Sequence, residues 1–186
     1  MKYLMTLFLF MTFATSYGQD VFQKYNGHPE VTYIRVPQTM FSLLSKIKVN
    51  ATDENAEAFL EMIKTLKEFR VLSTKNESIA EEMHSWLQAE YKNTPLMSII
   101  NLTEANVNVQ FGAVFGSDQS KVKRLVMLVK GLDDFVKKNP SINLDTQVDL
   151  DYILLEIKGD LQLDQIASLT QLVDIPGGKY LDALGN

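Results

Sequence analysis

Between Asn106 and Phe115 the chain alternates. Val107, Val109, Phe111, Ala113 and Phe115 occupy one set of positions, and Asn106, Asn108, Gln110, Gly112 and Val114 the other. Side chains of a strand point to its two faces in turn, so this run predicts a half-buried antiparallel strand. Gly116 to Ser120 reads as a hairpin loop, and Lys123 to Lys130 returns as the partner strand. Val31–Val36, Phe69–Ser73 and Leu96–Leu102 carry the β-branched and aromatic content of further strands. Val148–Ile157 is the last, ended by Gly159; it turns apolar on both faces after Tyr152, which places it inside the sheet.

A period of 3.6 appears elsewhere. Met40, Leu43, Leu44 and Ile47 predict an amphipathic helix over Thr39–Lys48. Ala56, Phe59, Leu60, Ile63 and Leu66 predict a second, capped by Thr52 or Asp53. A third starts at Asn76 or Ser78 and runs to about Lys92, with Ile79, Met83, Trp86 and Leu87 inward. Asp20–Tyr25 forms a short helix or turn, and Asp164–Val173 a final helix with Ile166 and Leu169 inward. Asp133–Lys138 makes one helical turn, Pro140–Thr146 an inserted loop, and Lys179–Leu184 a closing turn. Helices cluster early and hairpin strands late. The expected fold is therefore α+β: a two-layer sandwich with a mixed or antiparallel sheet of five to six strands and helices on one face.

The beginning of the chain has a different pattern. Lys2 precedes an uncharged run from Tyr3 to Thr15, and Ser16 and Gly18 are small residues at the positions a signal peptidase reads. The run is about 13 residues, against roughly 20 for a membrane span. Residues 1–18 are read as a cleaved signal peptide and 19–186 as a single domain of 168 residues. The chain contains no cysteine, so disulfides, thiolate metal sites and a lipid-accepting residue after the signal are all excluded. The expectation is an exported protein, periplasmic or secreted, neither lipid-anchored nor integral to the membrane. The chain has 18 Lys+Arg against 23 Asp+Glu. Removing Lys2 leaves 17 against 23, a net charge of −6. Nucleic acid and anionic membrane surfaces both require a basic patch and are excluded as partners. The one basic cluster, Lys121, Lys123 and Arg124, reads as the solvated start of a strand.

Several segments together carry a resemblance. Phe22-Gln-Lys-Tyr25, Val31 to Val36, Met40-Phe41, Arg70 to Ser73, Leu125 to Val129, Ile157 to Asp160 and Ile175 to Gly178 resemble the exported domain-of-unknown-function family 4252. The resemblance implies a bacterial protein carried past the inner membrane and implies no activity. Many relatives resemble lipoproteins, from which this chain departs by lacking the cysteine. Asp133–Thr146 is longer than the family's usual connection.

Candidate chemistry is sparse. Glu81 and His84 share a helix face but have no His-Glu-x-x-His arrangement around them, so no metal site is expected. Asp145, Asp149 and Asp151 lie close in sequence, with a spacing unlike a calcium loop. No Gly-x-Ser-x-Gly elbow is present. No cofactor is expected. The polar row Asn106, Asn108 and Gln110 is the candidate binding face, since amides hydrogen-bond both sugars and incoming strands. The expected function is a non-catalytic envelope module that binds a protein or polymer through this sheet face or an edge strand. The alternative is a small envelope hydrolase using carboxylates such as Asp149 and Asp151.

Overall fold

The computed structural model describes residues 20–46, 54–104, 106–118, 120–132 and 151–162. The signal segment, the 133–150 connection with Asp145 and Asp149, and the helix expected at 164–173 lie outside the described residues. So does the closing turn expected at 179–184.

Among the described residues six strands form one sheet: β1 (Thr32–Pro37), β2 (Leu66–Thr74), β3 (Met97–Glu104), β4 (Val107–Phe115), β5 (Lys121–Lys130) and β6 (Tyr152–Gln162). Their order is β1-β2-β6-β5-β4-β3, and every neighbouring pair is antiparallel. The helices are α1 (Val21–Lys24), α2 (Gln38–Leu44), α3 (Glu54–Thr65) and α4 (Glu77–Asn93). The architecture is the α+β sandwich that the order of patterns implies.

Register sorts the side chains. Phe111 lies opposite Met127, and Met127 opposite Leu155, so these share one face with Val109 and Val129. That face forms an apolar cluster with Phe41, Met62, Ile63 and Leu66. The other face carries Leu72, Leu154, Val126 and Leu128. Against it pack Val21 and Phe22 of α1 and Ile79, Met83 and Leu87 of α4. Thus α1 and α4 cover one face, while α2 and α3 contribute apolar side chains to the other, so the helices are divided between the two faces and not confined to one as the sequence order suggests. Asn76 caps α4: its Oδ1 accepts from the Ser78 and Ile79 amides, leaving Ser78 inside the helix.

Two sequence patterns point the wrong way. The α2 stripe of Met40, Leu43 and Leu44 faces solvent, at 48%, 60% and 37% exposure, and Phe41 is the buried residue instead. Nor does Gly159 end β6, which continues to Gln162. A Cβ at Gly159 would lie 2.6 Å from the Thr65 carbonyl oxygen. The glycine lets β6 run beneath the junction between α3 and β2.

Candidate functional site

The long alternating strand places its amides on the α4 side of the sheet. Asn108 lies opposite Thr103 on β3 and Lys130 on β5, and Gln110 lies opposite Asn101 and Leu128. Asn108 Nδ2 donates to Thr103 Oγ1 at 2.9 Å, and Gln110 Nε2 donates to Asn108 Oδ1 at 3.2 Å. Gln88 of α4 donates to Gln110 Oε1 at 3.5 Å and sits 3.3 Å from His84 Nε2. A hydrogen-bonded line therefore runs from α4 across β4 to the edge strand β3. Asn108 and Gln110 are half-buried, and Asn101 and Thr103 are exposed. Each amide keeps spare donor or acceptor capacity, as a primary amide has two N–H groups and two lone pairs.

Asn106 does not belong to this row. It stands in the turn between β3 and β4 with φ of 73°. Asparagine tolerates that left-handed conformation better than most residues, and a two-residue hairpin turn demands it. Its side chain is outside the period-two pattern that the sequence alternation extends to it.

A second constellation, not foreseen from sequence, lies under α1 and α4. Arg70 and Glu156 are buried at the centre of adjacent strands. Glu156 Oε2 accepts from Arg70 Nε at 2.7 Å, and Oε1 accepts from Arg124 Nε at 2.6 Å. Arg70 also bonds Asp20, Arg124 bonds Glu90, and Lys158 bridges Glu68 and Glu156. The Arg70 guanidinium lies 4.1 Å from the Phe22 ring centroid and that of Arg124 5.7 Å from Trp86. Phe22 and Trp86 meet edge to face. Arg124 is thus half-buried and paired, whereas Lys121 and Lys123 are exposed.

Charges alternate along this network, and its geometry fits anchoring rather than proton transfer. Burial alone would raise the Glu68 carboxyl, but hydrogen bonds from Arg35 and Lys158 outweigh it and hold the group below its ordinary value. Glu82, Asp118 and Asp160 are also lowered, by hydrogen bonds from Lys24, Ser120 and Lys123 respectively. A catalytic acid needs the opposite displacement. Glu68 also predicts a pH dependence. Its folded pKa is depressed, so its contribution to stability is full above the unfolded value of about 4.3 and is lost as pH falls through the folded one. Urea midpoints should fall with acidification below about pH 4.3. The Glu68→Gln variant should start lower at neutral pH and decline less steeply.

The remaining candidates disperse. Glu81 pairs with Lys130 at 3.3 Å while His84 contacts Gln88, so the two make no common site. Among the described residues no group of three or more His, Cys, Asp or Glu side chains could hold a metal ion. Asp151 precedes β6, where its carbonyl accepts from the Gly131 and Leu132 amides.

The family model described as a domain of unknown function, DUF4252, matches residues 25–169. No curated protein and no solved structure matches the chain.

Proposed function

The chain belongs to the DUF4252 family, and on that premise we propose that it is a non-catalytic binding module exported to the cell envelope. The carrying observation is the amide line Gln88–Gln110–Asn108–Thr103, which ends at a strand edge with exposed polar groups. Such a row suits a partner rich in hydroxyl or amide groups, a glycan polymer or an extended peptide, because it offers donors and acceptors without charge. Export is supported by the signal-like pattern of residues 1–18. Among the described residues no helix is long and apolar enough to cross a membrane.

The hydrolase reading has weaker support. It needs two carboxylates facing across a cleft, one with a raised pKa. Among the described residues, which leave out Asp149, the displaced carboxylates are all lowered, and the buried Glu156 is held by two arginines.

Purified protein should sediment with isolated envelope material or retain a component of it. The Asn108→Ala/Gln110→Ala variant removes two hydrogen-bonding side chains, each worth about 0.5–1.5 kcal/mol. Affinity should fall by about tenfold or more, with the circular dichroism spectrum unchanged. Equal binding by native and variant protein would remove the row from the account. Intact mass beginning at Gln19 would support export; retention of residues 1–18 in the cytoplasm would contradict it.

A further inference from the structure

The two edges of the described sheet differ in how they are guarded. Strand β1 is short, carries Arg35 and ends at Pro37, where α2 begins. These are common devices against unwanted strand pairing. Strand β3 has none of them from Met97 through Thr103: no charge, no proline and no lysine. Met97 is 55% exposed, and Ser98, Asn101 and Thr103 are exposed too. A bulge between Ser98 and Ile100 confines regular pairing to the part beyond it.

That part is close to self-complementary. Residues directly opposite in an antiparallel pair share a face. A two-fold axis through Asn101 would set Asn101 against Asn101 of a second copy, and Ile100 against Leu102 in both directions. The apolar face would continue as apolar, since Ile100 and Leu102 lie opposite Phe111 and Val109 within the sheet. The polar face would continue as polar, since Asn101 and Thr103 lie opposite Gln110 and Asn108. Glu104 would fall outside the paired stretch. A neighbouring axis at Leu102 would instead bring Glu104 opposite Ile100, which disfavours it.

We infer that β3 is a homodimer edge, where two copies pair antiparallel about Asn101 to give a continuous sheet of twelve strands. The second copy then completes the candidate site. The two amide lines, each ending at Thr103, flank the Asn101 pair on one face of the joined sheet and are related by the two-fold rotation. The dimer stands on the edge chemistry alone; only the joined face's role rests on the binding reading above. Regular pairing is limited to Ile100–Leu102, since Thr103 would meet the bulged Ile99; such a small interface is typically weak. The dimer should therefore be concentration-dependent.

The absence of cysteine makes the test clean. Asn101→Cys puts two thiols at the two-fold centre, where opposite Cα atoms lie about 4.5–5.5 Å apart, within disulfide range. Mild oxidation of the full mature chain should trap most of this variant as a covalent dimer. Ile34→Cys, on the guarded edge, should remain mainly monomeric. Sedimentation velocity of the native chain should show mass rising toward the dimer as concentration increases, and Asn101→Lys should abolish that rise with the spectrum unchanged. Equal trapping at both positions, or a native chain that stays monomeric at high concentration, overturns the inference and leaves the edge to a strand from another protein. Loss of envelope binding in Asn108→Ala/Gln110→Ala with trapping intact would show that the dimer and the binding row are separable. Failed trapping with binding retained would sink the dimer alone.

Discussion

Glu156→Ala should bring the protein close to unfolding. The side chain is fully buried between Arg70 and Arg124, and both arginines bond its two oxygens. Removing the carboxylate leaves Arg70, itself only 5% exposed, with Asp20 as its main partner at the margin of α1. Breaking a buried ion pair from one side typically costs about 3–5 kcal/mol. Native domains have about 5–15 kcal/mol in total. Urea unfolding followed by circular dichroism should therefore show a midpoint lowered by a large part of its native value. The penalty comes from the stranded charge more than from the lost pair. A double variant, Arg70→Met/Glu156→Leu, should consequently be less damaging than Glu156→Ala alone. If the double variant were the sum of two large losses, the network would be supplying attraction well beyond its desolvation cost.

Gly131→Ala should be the second most damaging single change. Gly131 has φ of +82°, and a Cβ there would sit 2.5 Å from the Asn106 carbonyl oxygen. A non-glycine residue in such a conformation costs roughly 1–3 kcal/mol. Forcing an atom into an occupied space adds about 1–3 kcal/mol. The neighbour is backbone and cannot swing away as a side-chain end could. Relief requires the β3–β4 turn to move, and Asn108 and Thr103 flank that turn. The variant should thus lose stability in thermal unfolding and also weaken binding at the amide row. Asn106→Gly, in contrast, should be close to neutral, because glycine accepts the φ of 73° that Asn106 adopts.

The residues that proved legible were those whose environment is set by local pattern. Strand β4 announces itself because one set of alternate residues is apolar and the other is polar or glycine as far as Gly112. The α4 start is readable as Asn76 or Ser78, both residue types favoured at a cap, and the structure assigns Asn76. The place of β6 inside the sheet follows from its apolar content on both faces, and it does lie between β2 and β5. The family resemblance was carried by other segments, among them Leu125 to Val129 of β5, and by the end of β6 at Ile157 to Asp160.

What escaped reading depends on partners distant in sequence. Arg70 and Glu156 stand 86 positions apart and meet only through the β2–β6 register. Each has apolar residues on both sides, Phe69-Arg-Val-Leu72 and Leu154-Leu-Glu-Ile157, although other charges, Glu68 and Lys158, stand two positions away. Opposite charges flanked in that way are the signal that could have exposed the network. Asn106 was absorbed into the row because alternation carries no mark where strand gives way to turn. The stripe of α2 failed because periodicity identifies an apolar face without saying what it faces. Gly159 was read as a stop when it serves a close passage beneath Thr65. The row itself was visible, but not its continuation through Thr103 to the edge, which requires the β3–β4 register.

The central claim is that the amide row near the β3 edge is where a partner binds. The most direct measurement places a photo-crosslinking residue at Thr103, an exposed position on that line, in cells expressing the full chain. The Ile34 position on the opposite edge serves as control. Apart from an adduct between two copies across the β3 edge, one dominant envelope adduct is expected at Thr103, absent at Ile34 and lost when Asn108→Ala/Gln110→Ala is added. Equal envelope adducts at both positions, or an envelope adduct indifferent to the two alanines, would contradict it.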